Sequence, residues 1–219
     1  MRQNISLAEI SDGHLYKAND MVKADCGGCE GCSQCCRGMG NSIILDPYDV
    51  YRLTTGIGKS MQELLATSVE LNVVDGVILP NLKMQGTREA CAYLDAEGRC
   101  SIHPYRPGIC RLFPLGRHYE NGGLFYFLQT GECVKENRSK VKVSKWIDTP
   151  ELKRNEQFKL QWHDLLSAMT DRVAGEDEGK QREENLLLLR LFYLLPYEGI
   201  TDFYSQFTER MEHWNEQIG

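Results

Sequence analysis

The chain has 219 residues, of which 42% are hydrophobic, so it can bury the core of one ordinary domain with an extension. Its formal net charge is −6, which argues against binding to a nucleic-acid backbone because such binding needs a basic stripe. The segment 135–145 holds five basic residues and is interpreted as a solvated loop.

The first half of the chain predicts short elements. Asp46 caps a helix that is expected to end near Leu53, and Ser60 with Glu63 forms a capping box for a second one. Three turn signals then predict hairpins. The paired segments are 72–74 with 77–79, 91–94 with 99–102, and 117–119 with 124–127.

The second half predicts three helices with buried faces. The first begins near Pro150 and repeats apolar residues at helical spacing until residues 175–179 break it. Residues 183–195 are apolar on nearly every side, so this helix is predicted to be central and to end at Pro196. Thr201 is the predicted cap of the last helix.

All nine cysteines lie between Cys26 and Cys133, and this shift in composition predicts two regions. Residues 1–145 form a cysteine-cluster metal-binding region, and residues 146–219 form a helical region packed on it. The predicted fold class is α+β, with an irregular cysteine-rich part of short helices and hairpins followed by a small helical bundle.

The compartment decides how the nine cysteines are interpreted. Residues 1–17 lack the apolar stretch of a secretory signal. The longest apolar run, 186–195, contains Arg190 and falls short of the roughly 20 residues of a membrane span. We therefore expect a cytoplasmic protein without a membrane segment, where thiols stay reduced and many cysteines favour metal or redox chemistry.

The first five cysteines are too dense, and too rich in neighbouring glycines, to form an apolar core. They are Cys26, Cys29, Cys32, Cys35 and Cys36. A two-residue spacing lets a loop turn both sulfurs onto one metal, as in zinc ribbons and iron–sulfur sites. All but Cys35 match the ferredoxin spacing C-x2-C-x2-C-x3-C, although Arg37 replaces the usual proline. If the chain is extended there, Cys35 and Cys36 point to opposite faces, which leaves one or two sites possible.

The other four cysteines, Cys91, Cys100, Cys110 and Cys133, are far apart in the sequence. Each alone could be a buried structural cysteine, but together beside the first five they favour metal ligation. Four thiolates around zinc or an oxidised four-iron cluster leave a charge of about −2 that needs compensation. Arg37, Arg106 and Arg111 are candidates to donate hydrogen bonds to the sulfurs, ordinary surface arginines being the alternative.

Three blocks of sequence, in order, resemble the YkgJ-type CxxCxxCC family, which is described as chelating zinc or iron. The blocks are residues 29–37 (CEGCSQCCR), 91–103 and 106–114 (RPGICRLFP). The resemblance covers roughly residues 26–133. It implies eight metal ligands, with Cys26 as an additional ninth candidate. The eight are Cys29, Cys32, Cys35, Cys36, Cys91, Cys100, Cys110 and Cys133.

Three functions are compatible with these observations. The first is an iron–sulfur protein, with a 4Fe–4S cluster as the cofactor, in electron transfer or as a redox accessory. The second is a structural zinc protein that presents its helical region to a partner. The third, implied by the resemblance, is a cluster-dependent protein-modifying enzyme related to flagellin lysine N-methylase. We expect a protein or redox partner, and the sequence nominates no catalytic residue.

Overall fold

A computed structural model describes residues 6–27, 32–135 and 137–218 of the chain. The fold class is α+β, as predicted. The helices are α1 (Leu7–Ile10), α2 (Pro47–Ile57), α3 (Met61–Thr67), α4 (Gly108–Leu112), α5 (Val143–Ile147), α6 (Leu152–Val173), α7 (Glu178–Leu189) and α8 (Phe203–Ile218). The strands are β1 (Met21–Asp25), β2 (Val69–Val74), β3 (Val77–Leu82), β4 (Met84–Gln85), β5 (Ala90–Cys91), β6 (Leu115–Glu120), β7 (Gly123–Leu128) and β8 (Ser139–Lys142).

Helices α2 and α3 begin where the sequence predicts, and each has a complete capping box. The Asp46 carboxylate accepts from the Asp49 backbone N–H at 3.0 Å, and the Asp49 carboxylate accepts from the Asp46 N–H at 3.2 Å. Ser60 and Glu63 exchange the same two bonds at the start of α3. These caps satisfy N–H groups that have no partner inside the helix, so the starts are fixed locally.

Helices α7 and α8 begin at other residues than predicted. α7 starts at the cap Asp177 and includes Gly179, which the sequence placed in a break. The Asp177 carboxylate accepts from two N–H groups of the first turn, which stabilises a start that contains a glycine. Asp202, and not Thr201, caps α8, because its carboxylate accepts from the Ser205 N–H at 3.0 Å.

The strands form antiparallel pairs, and two of the three predicted hairpins are confirmed. β2 pairs with β3 around Asp75, and β6 pairs with β7 around Asn121. Both turn residues have positive φ, at 50° and 51°, and each precedes a glycine, which is the sequence that tight hairpin turns favour. β1 pairs with β8, and β4 pairs with β5.

The third predicted hairpin forms only beside its turn, where a bridge joins Leu94 to Cys100 and backbone hydrogen bonds flank it. Cys91 lies outside the hairpin and pairs with Met84. The carbonyl of Cys91 accepts from the Leu94 N–H at 2.9 Å, and that of Cys100 accepts from the His103 N–H at 3.2 Å. Each cysteine therefore opens a turn, and the N–H groups used in these turns are not free for a cross-strand ladder.

The segment 135–145 is not a solvated loop throughout, contrary to the prediction. It contains β8 and the start of α5, and Val143 is fully buried. Lysines alternate with valines over residues 140–143, which is the period-2 pattern of a half-buried strand. The number of basic residues in the segment does not reveal this alternation.

The main apolar core lies between α6, α7 and α8 on one side and α2, α3 and the β2–β3 hairpin on the other. A π-helical turn, Arg190–Leu194, follows α7 and buries Phe192 and Tyr193. This core therefore draws residues from both sides of the predicted boundary at residue 145, and that boundary stays a prediction. Among the described helices, none combines the length and apolarity that a bilayer span requires.

A second, smaller core joins β1, β6, β7, α4 and α5. Its buried members are Val22, Ala24, Leu112, Leu115, Tyr126, Leu128, Val143 and Ile147. Leu112 ends α4, so the short helix that carries Cys110 is anchored in this core. The cysteine-bearing segments therefore lie between the two cores.

Candidate metal centre

Three segments of the chain meet at a cavity of roughly 620 Å³. Six cysteines line it: Cys32, Cys35, Cys36, Cys91, Cys100 and Cys110. The first three lie in and before a 3₁₀ turn, the next two open the turns described above, and the last lies on α4. Apolar side chains, among them Met39, Ile43, Leu82, Phe113 and Trp146, form much of the wall. The fold thus brings together thiols that are distant in the sequence.

The adjacent thiols of Cys35 and Cys36 line the same cavity, although an extended chain would have pointed them to opposite faces. The reason is that residues Gln34–Cys36 form a 3₁₀ turn, closed by a hydrogen bond from the Cys36 N–H to the Ser33 carbonyl at 3.0 Å. Beyond this turn, the Gly38 N–H donates to the Glu89 carbonyl at 2.9 Å. That bond docks the first cysteine segment beside β5, which ends at Cys91.

Hydrogen bonding makes the two adjacent thiols unequal. The Cys36 thiol donates to Cys35, and this bond is the main reason that the pKa of Cys35 is lowered to about 7. The Arg106 guanidinium lowers the Cys35 pKa further. The same bond, together with burial, raises the pKa of Cys36. Cys35 is therefore the thiol that ionises first, with a cation already beside it.

Burial favours the protonated form of three other thiols that line the cavity. Burial raises the pKa of Cys91, Cys100 and Cys110, and the neighbouring thiols add to the effect at Cys110. Backbone N–H groups oppose it, because Tyr93 donates to Cys91 and Ile102 donates to Cys100. A bound cation would reverse the balance, so binding of a metal should release protons.

The three predicted arginines lie in different places. Arg106 lines the cavity and acts on Cys35 and Cys100. Arg111 is buried and its Nε donates to the Ile147 carbonyl at 3.1 Å, whereas Arg37 bridges to Ala90 through its backbone. Both of these are described in the structure, and neither is among the residues that line the cavity.

Arg99 lines the cavity and was not predicted. Its position directly before Cys100 is the sequence signal that could have identified it, since a residue next to a turn-opening cysteine must lie close to the sulfur. His103 also lines the cavity, at its exposed side. The Arg106 and Arg99 guanidinium groups lower the pKa of His103, after burial, which has the largest effect.

Three of the nine predicted ligands are not placed at the cavity. Cys29 lies outside the described residues. Cys26 and Cys133 are described but do not line the cavity, although Glu132, the neighbour of Cys133, does. Their assignment as ligands stays a prediction.

The donor set suits a soft metal, because thiolates select zinc, copper(I) and iron–sulfur clusters. Thiolates around one zinc would lie about 3.8 Å apart, since each Zn–S bond is about 2.3 Å long. Within the residues that the structure describes, no three Cys, His, Asp or Glu side chains come close enough to hold a single ion. The six lining cysteines therefore surround a space and are not closed on one point.

Comparison with known proteins identifies the family. No curated protein and no solved structure matches the chain. One family model, CxxCxxCC, described as "Putative zinc- or iron-chelating domain", matches residues 28–140. That range covers more than half of the chain and contains every cysteine that lines the cavity. The chain belongs to the CxxCxxCC family of zinc- or iron-chelating domains.

Proposed function

We propose that the cysteine-lined cavity holds an iron–sulfur cluster of the 4Fe–4S type, and that the protein serves in electron transfer or as a redox accessory to an enzyme. Membership of the family supports zinc or iron as the metal. The cluster, the redox role and a reducing, cytoplasmic setting are the finer assignments made here. The partner is then a redox protein that exchanges electrons with the cluster.

The observation that carries this proposal is the spread of the six thiols around roughly 620 Å³. A single zinc ion needs four ligands at short mutual distances, and the described residues offer no three at such spacing. A cluster of several iron and sulfide ions is larger, so its cysteines lie farther apart around it. The lack of such a grouping among the described thiols, which line one cavity instead, favours a cluster over one ion.

The residues around the cavity fit the needs of such a group. Four of the six lining cysteines would suffice as its ligands. The N–H groups of Tyr93 and Ile102, which already donate to sulfur, would stabilise the thiolate form. Arg106 would offset part of the negative charge, and such interactions set the reduction potential of a cluster. When bound, the cluster supplies reversible one-electron transfer.

The exposed rim of the cavity offers a docking surface for the redox partner. Arg99, His103 and Ile109 line the cavity and are exposed to solvent, so a partner docked there would approach the metal without entering the core. The rim combines the cationic Arg99 and the polar His103 with one apolar side chain. A partner with an acidic, partly apolar surface would therefore fit this rim.

Anaerobic purification followed by analysis of iron, zinc and acid-labile sulfide tests the proposal. The expected sample is brown, contains iron and sulfide in equal amounts, and loses visible absorption when dithionite reduces it. Stoichiometric zinc without sulfide would overturn the cluster assignment in favour of the structural zinc protein. A sample without any metal would contradict both.

Serine substitutions test which thiols matter. Cys36→Ser, Cys91→Ser and Cys110→Ser change cysteines that line the cavity. Since four of the six lining thiols hold the cluster, at least one of these variants should lose most of the iron. Cys26→Ser is the matched control, because this thiol does not line the cavity and is outside the eight ligands that the family implies. Equal loss of iron in the control and in the cavity variants would contradict the placement of the site.

A further inference from the structure

A group of charged side chains is buried beneath α4, beside the metal site and outside its ligand set. Asp49 on α2 and Lys159 on α6 are only 3% and 4% exposed. Burying a charge is costly unless it is paired and hydrogen-bonded. An apolar pair would fill the same space at lower cost, so the contacts of these two residues indicate what they do.

The contacts form a chain that runs from α6 to the start of α4. Lys159 makes an ion pair with Asp46, the cap of α2. Asp46 and Asp49 are joined by the two hydrogen bonds of the capping box. The second role of Asp49 is to accept from the Gly108 N–H at 2.7 Å, through Oδ1. Asp49 on α2 thus holds the first residue of α4, and Lys159 on α6 holds Asp46, the cap of α2.

Gly108 is the point at which the buried charges converge. The position that a Cβ would occupy there lies 3.2 Å from Arg117 Nη2, 3.4 Å from Asp49 Oδ1 and 3.4 Å from Lys159 Nζ. Arg106 lies two residues before Gly108 and Cys110 two residues after it, and both line the cavity. The contact at Gly108 therefore fixes the segment that carries a cavity thiol and the arginine that acts on Cys35 and Cys100.

We propose that Asp49 and Lys159 are positioning residues of the metal site, which hold Arg106 and Cys110 in place through Gly108. The inference rests on the proposed function for its metal, but the contacts do not depend on which metal binds. Lys159 lies beyond the residues 28–140 that match the family. The helical region therefore supplies part of the scaffold of the metal site.

Hydrogen exchange of the protein as purified tests the contact itself. In Asp49→Ala, amides of residues 108–112 should lose protection by about tenfold or more, the equivalent of a hydrogen bond to a charged group. Asn185→Ala is the matched control, because Asn185 is equally buried and its Oδ1 accepts from the Ile78 N–H at 2.6 Å. The control should lose protection around residues 76–78 only. Unchanged protection of residues 108–112 in Asp49→Ala would overturn the proposal.

Release of metal to a chelator tests the consequence for the site. At temperatures where both variants stay folded, Asp49→Ala should release its metal about 10- to 100-fold faster than the wild type, which is the usual effect of losing a residue that supports a ligand. Asn185→Ala should release it at the wild-type rate. Equal acceleration in both variants would show that the network only stabilises the fold.

The lysine is tested by rescue. Lys159→Met should accelerate release, and Lys159→Arg, which keeps a cation beside Asp46, should restore most of the wild-type rate. If Lys159→Met does not fold, the double variant Asp46→Asn/Lys159→Met removes both charges and takes its place. Wild-type release from the double variant would overturn the role of Lys159. Should the wild-type protein bind no metal, the proposed function fails, while hydrogen exchange still decides whether Asp49 holds α4.

Discussion

The helical core and the cysteine-lined cavity are stabilised in opposite ways. In the core, side chains such as Leu53, Leu64, Leu188 and Phe192 are fully buried against one another, so the apolar surface is removed from water by the chain alone. At the cavity, six thiols on short segments surround a space that the chain does not fill. The core is therefore complete without a ligand, whereas the cavity leaves a space that the proposed cluster would fill.

This difference assigns separate sources of stability to the two parts. Helices α6 and α8 are 22 and 16 residues long, and their apolar faces pack against each other and against α2. Helix α4 has only five residues, which is too few to be stable without tertiary or metal contacts. Conditions that remove the ligand should therefore affect one part before the other.

Removal of the metal should give the largest effect. Structural zinc contributes about 10 to 16 kcal/mol of apparent binding free energy in zinc-finger peptides, so the cavity segments should unfold when a chelator strips the site. Limited proteolysis should then cut within residues 32–42 and 90–113, while the circular dichroism of α6, α7 and α8 largely persists. Identical cleavage patterns with and without metal would contradict the comparison.

A substitution in the helical core should lower the stability of the fold and leave the metal content unchanged. Phe192→Ala empties a fully buried site that contacts Trp162 and Trp214, and such changes cost about 3 to 5 kcal/mol. Urea unfolding should shift by this amount, while the metal content of the folded protein stays at the wild-type level. Ile200→Ala, at a side chain that is 99% exposed, is the control and should leave both unchanged. Loss of metal from folded Phe192→Ala would show that the two parts are not separable.

Gly56 lies where α2 packs against the short turn His103–Tyr105, whose first residue lines the cavity. A Cβ at this position would lie 2.3 Å from Tyr105 Cδ1, and Tyr105 ends the short turn directly before Arg106. Tyr105 is 38% exposed, so its ring can move outward, and Gly56→Ala should cost only about 1 kcal/mol. The double variant Gly56→Ala/Tyr105→Ala should recover part of this loss in urea unfolding. Strictly additive effects of the two substitutions would contradict the contact.

The smallest expected effect concerns pH and the buried charge of Asp49. Burial raises the pKa of Asp49 to about 6, above the value of roughly 3.9 for an exposed aspartate. The folded state therefore binds the proton more tightly, and this contribution to stability is complete below about pH 4 and is lost as the pH rises through 6. Compared with Asp49→Asn, the free energy of unfolding of the wild type should rise by about 1 kcal/mol between pH 7 and pH 5. A difference in unfolding free energy between the wild type and Asp49→Asn that does not change with pH would contradict this prediction.

Local signals in the sequence predicted the helix starts and hairpin turns outside the cavity well. The caps at Asp46 and Ser60 and the turns at Asp75 and Asn121 act within a few residues, and all four are present in the structure. Boundaries were less secure, as Asp202 shows, because several residues near a helix start can accept the same N–H groups.

The surroundings of the cavity were harder to predict. Cys91 and Cys100 were expected on the two arms of one hairpin, but each opens a turn that directs an N–H group at its sulfur, a contact that hydrophobic periodicity does not encode. Lys159 lies among apolar residues of α6, and its partner Asp46 is remote in sequence. Such a pair becomes visible only when the fold brings the two residues together.

Diffraction from crystals of the anaerobically prepared protein, recorded at the iron and zinc absorption edges, would locate the metal. We expect an anomalous peak at the iron edge inside the cavity, within bonding distance of sulfurs among Cys32, Cys35, Cys36, Cys91, Cys100 and Cys110. A peak elsewhere in the molecule, or no metal in a crystal whose cavity thiols are intact and unoxidised, would contradict this expectation.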